Sequence, residues 1–346
     1  MKTEESLAVK IEKEKGEQLR VFLQKNELIR SDLRIKRDEY FLYIPVICES
    51  QFISNFNIIT TRFEKIKPRI DNYQQLLSLP AEFQLILPTS FDVIGDIILI
   101  KISKDLQNYS EEIGNALLTT HAHVNTICSI DPVSGEFRNR SVRVIAGEQK
   151  TETMHKEYGM WFKVDVEKTY FSPRLASERK RVSDLIEKNS CVLDMFCGVA
   201  PFSILIAKYA QPSQIIAVDK NPFAIQLAEF NLRKNNVEDK ITLFNKDSRE
   251  SQKLCNNQHV QPNHIIMNLP FSSFEFFPIA IQLIVDGGMI HYYDILKESR
   301  FEQRMNDLIV SAKKFQVNLT HFELHKIKTY APHEFYIGID ITVSKN

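Results

Sequence analysis

From about residue 175 onward, short apolar runs alternate with amphipathic stretches. The order is "ASERKRVSDLIEK", "CVLDMF", "FSILIAKYA", "QIIAVD", "PFAIQLAEFNLRKN", "ITLFNKD", "HIIMNL", "FEFFPIAIQLIV" and "GGMIHYYDI". Helix–strand alternation of this kind has few solutions: the strands lie parallel in one sheet and helices cover both faces. After a long amphipathic stretch, "ESRFEQRMNDLIVSAKKF", come two β runs, "FELHKIKTY" and "FYIGIDITV", separated only by a turn. They predict an antiparallel hairpin at one edge of the sheet. The expected fold class is α/β, a doubly wound sheet with a C-terminal antiparallel hairpin.

The rest of the 346 residues is too long to be an appendage of that sheet. Residues 6–30 read as helices, with "LRVFLQKNELI" carrying apolar residues at helical spacing. "YFLYIPV" reads as a strand, and residues 47–80, rich in Asn, Gln and Ser, as a connecting stretch. A further unit starts near "FDVIGDIILIKI", continues through a helix over "SEEIGNALLTTH", and becomes β-rich up to "KTYF". The expected division is a small N-terminal α/β domain (1–65), a linker (66–80), a middle α+β domain (81–170) and the doubly wound domain (171–346).

Hydrophobic residues make up 43% and charged residues 25%, as in a globular protein. No apolar run approaches ~20 residues, so no membrane span is expected. The first twenty residues lack the apolar core of a secretory signal. Five scattered cysteines without a CxxC pair read as reduced thiols. A monomeric, cytoplasmic protein is expected. His121 and His123 have no third ligand at useful spacing, so no metal site is expected. The formal net charge is zero, but residues 1–37 hold ten Lys/Arg against seven acids, and "RLASERKR" clusters basic residues around one glutamate. Local basic patches bind phosphates even in a neutral protein.

Ligands of open parallel sheets lie beyond the carboxyl ends of the strands. Three successive strands end near an acid: Asp194, Asp219 and Asp247. Asp219 is placed to accept two ribose hydroxyls, which suits NAD or S-adenosylmethionine. The loop from Gly198 reads G-V-A-P-F-S, with Ala200 and Ser203 where a dinucleotide fingerprint has glycines, and Pro201 removes an amide. A diphosphate needs those amides. A sulfonium cofactor does not, and S-adenosyl-L-methionine is the expected cofactor. In this reading Gly198 stands where a Cβ would clash with it, Asp194 helps hold the ammonium-bearing tail, directly or through water, and Asp247 accepts from the adenine amino group. An NAD-dependent oxidoreductase is the distant alternative.

"DMFCGVAPFSI", "VDKNP", "IMNLP" and "YFSPRLASER" resemble the archaeal and eukaryotic tRNA (guanine-37-N1)-methyltransferase family. "FDVIGDIILIKI", "EIGNALL" and "SGEFRNRSVRVIAGEQKTETMHKE" are similar to that family's middle domain, and the likeness spans most of residues 20–343. The family usually has glycine where this chain has Ala200. The resemblance implies a class I methyltransferase domain, RNA-facing middle and N-terminal domains, and tRNA bearing guanosine at position 37 as the partner. Nearest relatives of other activity methylate a modified tricyclic guanine or transfer an aminocarboxypropyl group to it. A non-catalytic tRNA-binding protein is a third reading.

Methylation of guanine N1 requires a base to take the N1 proton and a cation to steady the charge spreading to O6. The target must also leave the RNA stack. The resemblance puts Glu178 on the proton acceptor and Arg138 on the O6 partner. Asn268 ends the fourth strand with both a donor and an acceptor for a purine edge, and Pro270 stiffens its turn. It is counted with both the catalytic and the cofactor-binding residues. Phe171 and Lys220 are further cofactor-binding candidates. Tyr170, Arg174, Arg179, Pro270 and Phe271 are expected to meet the RNA or the target base.

Overall fold

The computed structural model describes residues 3–66, 72–131 and 141–345. The chain divides into two compact units, Met1–Asn72 and Tyr73–Asn346.

The first unit contains β1 (Thr3–Glu12), α1 (Lys13–Lys25), β2 (Lys36–Arg37), β3 (Phe41–Pro45) and β4 (Asn57–Glu64). Its antiparallel sheet runs β2-β3-β1-β4. Two expectations are corrected here. Residues 3–12 form a strand, not a helix: Leu7, Val9 and Ile11 alternate onto the face covered by Leu19 and Leu23 of α1, while Ala8 packs with Leu33 and Phe63 on the other. That period of two is a strand signal that flanking charges obscure. The stretch after residue 47 contains β4, whose β-branched "NIITT" pairs along most of β1.

The second unit begins with a layer of α2 (Ala81–Gln84), β5 (Phe91–Ile94), β6 (Ile97–Ile100), α3 (Ser110–Thr120), β7 (Thr126–Ile130) and β8 (Val142–Gly147). The sheet order is β5-β6-β7-β8, with β6 and β7 parallel and the outer pairs antiparallel. Ile113 and Leu117 of α3 pack against Ile98, Ile100 and Ile127. Tyr73, Leu77 and Leu79, in the segment read as linker, are buried in the same core. Gly147 closes β8 at φ +84°, where a Cβ would lie 2.1 Å from the Asn125 carbonyl oxygen.

A hairpin of β9 (Glu152–Glu157) and β10 (Met160–Asp165) leads into α4 (Ala176–Leu185). Strands β11 (Cys191–Asp194), β12 (Gln214–Asp219), β13 (Ile241–Asn245), β14 (His264–Met267) and β15 (Met289–Lys297) follow. Between them come α5 (Pro201–Tyr209), α6 (Pro222–Asn235), α7 (Ser251–Asn257) and α8 (Ser273–Leu283), and α9 (Phe301–Lys313) precedes β16 (Val317–Ala331) and β17 (Glu334–Lys345). The order is β13-β12-β11-β14-β15-β17-β16, parallel through β15, with β17 antiparallel to both of its neighbours. Each central strand is apolar on both faces: Val192 and Ile215 join one core, Leu193 and Ile216 the other. Fully covered parallel strands produce this pattern.

The outer edge of β10 is paired by a helix. Asn231 of α6 accepts from the Lys163 N–H at 2.6 Å and donates to the Lys163 carbonyl at 3.1 Å. One turn on, Asn235 treats Trp161 the same way, at 2.9 and 2.7 Å. Spacing of i, i+4 sets both amides on one helix face, matching alternate residues of the strand. Trp161 itself is 37% exposed. Replacing Asn231 by Leu strands a buried N–H and carbonyl, so Asn231→Leu should lower stability by about 2–3 kcal/mol. Urea unfolding monitored by circular dichroism checks this; an unchanged midpoint contradicts it.

Candidate active site

The strand order reverses between β11 and β14, and a cleft of about 350 Å³ opens there at the carboxyl ends of the strands. Tyr170, Gly198, Asp219, Asp247, Asn268 and Phe276 are among the residues lining it.

β12 ends at Asp219. One of its oxygens accepts the Gly198 N–H at 2.7 Å and the other the Asn221 N–H at 2.8 Å. Burial pushes this carboxyl up from its ordinary range, and those two amides pull against it. Each oxygen keeps a lone pair for a hydroxyl. Gly198 holds φ +55°, and a Cβ there would meet no protein atom nearer than the Tyr170 carbonyl at 3.8 Å. Among the described residues the glycine is therefore needed for its backbone conformation, and the clash foreseen from the sequence concerns the ligand. Ala200 sits in the left-handed region at φ 65°, ψ 37° as the cap of α5, a geometry that costs an alanine about 1 kcal/mol. Pro201 follows at the first helical position, where its missing N–H breaks no hydrogen bond.

Asp247 caps the turn after β13, accepting the Arg249 N–H at 2.9 Å and facing Lys220 at 3.4 Å and the Arg249 guanidinium at 3.0 Å. Burial works against its charge, but the Arg249 amide and the two cations hold its carboxyl below the ordinary range. Phe196 and Phe276 meet edge to face at 4.9 Å beside it. Carboxylates at two strand tips with an aromatic wall between them fit an adenosine-bearing ligand. The Ala200–Pro201 helix start offers a diphosphate no amide at its first position, so S-adenosylmethionine fits better than NAD.

Asn268 and Leu269 line the cleft after β14. The Asn268 carbonyl oxygen accepts from the Tyr336 hydroxyl. Pro270 is buried behind them. Phe271 is 55% exposed at φ 77°, a rare conformation for a bulky residue, and its ring meets Tyr330 edge-on at 5.7 Å. Neither Pro270 nor Phe271 belongs to the cleft wall.

"YFSPRLASER" separates into different roles. Tyr170 and Phe171 line the cleft; Phe171 is also packed against His155 at 5.2 Å and Phe162 at 6.0 Å. Arg174 pairs with Asp92 of β5 at 2.5 Å. Arg179, expected to reach RNA, is 1% exposed, and both arms of its fork hold Glu157 at 2.8 and 2.5 Å. It also lies over the Phe171 ring and donates to the Ser172 carbonyl. A buried bidentate ion pair of this kind joins α4 to β9, and Arg179 is also among the residues that line the cleft. Glu178 is 6% exposed and lies outside the cleft wall. Its carboxylate accepts from Arg181 at 2.8 and 2.9 Å and from the Tyr293 hydroxyl at 2.8 Å. Arg138 lies outside the described residues.

The sequence reading missed the contribution of the C-terminal hairpin. Lys328 of β16 donates to the Ser172 hydroxyl at 3.3 Å and lies 5.2 Å from the Tyr336 ring centre. Through Ser172 and Asn268, both strands of the hairpin reach the cleft wall. "HKIKTY" carries the cation, but nothing in its spacing points to Ser172.

Asp194 is also placed differently from expectation. It lies under the cleft floor, 1% exposed, accepting the Ser203 hydroxyl at 2.7 Å. Its other oxygen is buried without a hydrogen-bond partner among the described residues. Complete burial pushes its carboxyl up to about 7 from 3.8. The unfolded chain ionises this group near 3.8 and the native chain only near 7, so stability is lost as pH rises across that window. Asp194→Asn should therefore raise the thermal midpoint by about 3 °C or more at pH 8.5 and by less at pH 5.5. Calorimetry at both pH values tests this, and an equal shift at both contradicts it.

The chain matches the TRM5/TYW2 methyltransferase domain over residues 153–320, the TYW2 N-terminal domain over 73–151 and the tRNA methyltransferase 5 N-terminal domain over 8–51. The tRNA (guanine(37)-N(1))-methyltransferase Trm5b of Pyrococcus abyssi is 38% identical across 98% of this chain and 99% of its own length. Its crystal structure superposes with a TM-score of 0.76. The structure of aTrm5 in complex with tRNALeu, 32% identical, superposes with a TM-score of 0.73 over 98% of this chain and all of that one. A tRNA(Phe) (4-demethylwyosine(37)-C(7)) aminocarboxypropyltransferase of Pyrococcus horikoshii is 29% identical over 82% of this chain and all of its own. By end-to-end likeness in sequence and in fold, the chain belongs to the tRNA (guanine-37-N1)-methyltransferase family.

Proposed function

We propose that this protein transfers a methyl group from S-adenosylmethionine to N1 of guanosine 37 in tRNA. The observation that carries the reading is a shared wall: Asp219, at the tip of β12, and Asn268, after β14, line one cleft in a chain that aligns end to end with Trm5b of Pyrococcus abyssi. When bound, S-adenosylmethionine supplies an electrophilic methyl group on a cationic sulfur. Asp219 would hold its ribose hydroxyls, Asp247 its adenine amino group, and Phe196 and Phe276 the flat face of the ring. Asn268 would orient the extruded guanine, with Tyr170 beside it.

Glu178 is the proposed base. It accepts the N1 proton while Arg138 steadies O6. In this structure the carboxylate is held by Arg181 behind the cleft wall, so the reaction requires it to leave that clamp when tRNA docks. The aminocarboxypropyl-transfer reading is favoured by the TYW2 N-terminal match over 73–151. The methyl reading is favoured by the tRNA methyltransferase 5 N-terminal match over 8–51 and by the fuller alignment, 98% of the chain against 82%.

Labelled cofactor, purified protein and tRNA transcripts with guanosine or adenosine at position 37 test the proposal. Methyl should enter only the guanosine transcript, and mass spectrometry of the nucleoside should show one added methyl. An aminocarboxypropyl adduct, or transfer elsewhere, rejects the reading. Glu178→Gln should retain adenosylhomocysteine and tRNA binding and lose about 10²–10⁴ in turnover. Removing the unit Met1–Asn72 should weaken tRNA binding in filter assays and leave adenosylhomocysteine affinity unchanged. Loss of both affinities contradicts a purely RNA-binding role for that unit.

A further inference from the structure

A row of polar groups crosses the sheet beneath α4, buried at Glu178, Asp340, His291 and His264, half-buried at Arg181 and open to solvent at Glu187. Arg181, which clamps Glu178, also reaches Asp340 of β17 at 2.5 and 3.3 Å. Asp340 pairs with His291 of β15 at 2.6 Å, His291 meets His264 of β14 at 3.2 Å, and His264 meets Glu187 at 2.8 Å. The two imidazoles stack at 5.5 Å. His325 and Glu323 of β16 also face this point, with the His325 ring 3.5 Å from Asp340 and 3.7 Å from Glu323. Burial alone would raise the Asp340 carboxyl, but His291 and Arg181 hold it well below the ordinary range. Burial and the neighbouring His291 hold the His264 imidazole below its ordinary range. At the other end of the row Asp340, Arg181 and Glu178 alternate in charge.

Arg181 is half-buried, and a guanidinium held partly away from water loses stability when one carboxylate leaves unless a second remains. Glu178 can withdraw from Arg181 only if Arg181 keeps a counter-ion. We infer that Asp340 is a positioning residue for Glu178: it retains Arg181 so that the Glu178 carboxylate is released to take the N1 proton. The inference rests on the reading of Glu178 as the base. The step balances simply. The N1–H bond breaks and its proton passes to a Glu178 oxygen, the N1 pair forms the bond to methyl, and the S–CH₃ pair stays on sulfur. Asp340 touches none of the reacting atoms. Glu178 faces Arg181 on its own helix and Tyr293 on β15 directly, and Asp340, His291, His264, His325, Glu323 and Glu187 through Arg181.

The experiment is the pH dependence of single-turnover methyl transfer on full-length protein with guanosine-37 tRNA. In Asp340→Asn, Arg181 has Glu178 as its remaining carboxylate partner. The rate constant should fall about tenfold, the acid limb should move down by about one pH unit, and KM for tRNA and cofactor should stay within about twofold. In Arg181→Met the clamp is gone and the acid limb should move up. Asp340→Glu should restore the wild-type limb. Opposite movements in the two variants are not what general loosening of the fold produces. Unmoved limbs in both variants, with Glu178→Gln inactive, overturn the inference alone. Wild-type turnover in Glu178→Gln overturns the base reading instead. Should Asp340→Asn not fold, as judged by thermal unfolding and adenosylhomocysteine calorimetry, the direction of the limb in Arg181→Met decides.

Discussion

The Asp219 carboxylate organises the cleft before any ligand arrives. By accepting the Gly198 and Asn221 amides it ties the loop after β11 to the start of α6. The Asn221 side chain then caps that helix and donates to the Lys168 carbonyl, so the same tie reaches the segment leading to Tyr170. An acid in this position is stabilised by two oriented dipoles where solvent is scarce. The register of both loops thus depends on one side chain, the one to which the proposed function assigns the ribose.

A second fastening joins the β9–β10 hairpin to the large sheet. It combines the Asn231 and Asn235 amides with the buried Arg179–Glu157 fork. Each element is expensive to bury alone and inexpensive when fully paired. Together they hold Phe171 and Ser172 against the cleft, while Glu178 and Arg181 turn toward Tyr293 and Asp340. The helix therefore divides its adjacent basic and acidic residues between a structural face and a face that looks toward the polar row on β14, β15 and β17.

Much of this was legible in the sequence. Parallel alternation, the edge hairpin and the strand-tip positions of Asp219, Asp247 and Asn268 follow from periodicity and from the rule that such sheets bind at their carboxyl ends. Other features were not legible because they depend on pairings between distant strands. Asp194 and Asp219 look equivalent as strand-end acids, yet one is under the floor and the other faces the cleft. Arg179 and Arg181, two residues apart, differ in partner because Glu157 is on one side of α4 and Asp340 on the other. Asn231 and Asn235 read as ordinary helix residues until β10 is seen beside them. In β1, a strand reads as a helix because three glutamates and a lysine outnumber its three alternating apolar residues.

The helix start at Ala200–Pro201 has a consequence for molecular discrimination. ATP, NAD and S-adenosylmethionine all present adenosine, so an adenine slot and a ribose-binding acid cannot tell them apart. An imino acid at the first position of α5 withholds the amide that a phosphate chain would seek. Any selectivity of this cleft against phosphorylated nucleotides would thus start from a missing hydrogen atom.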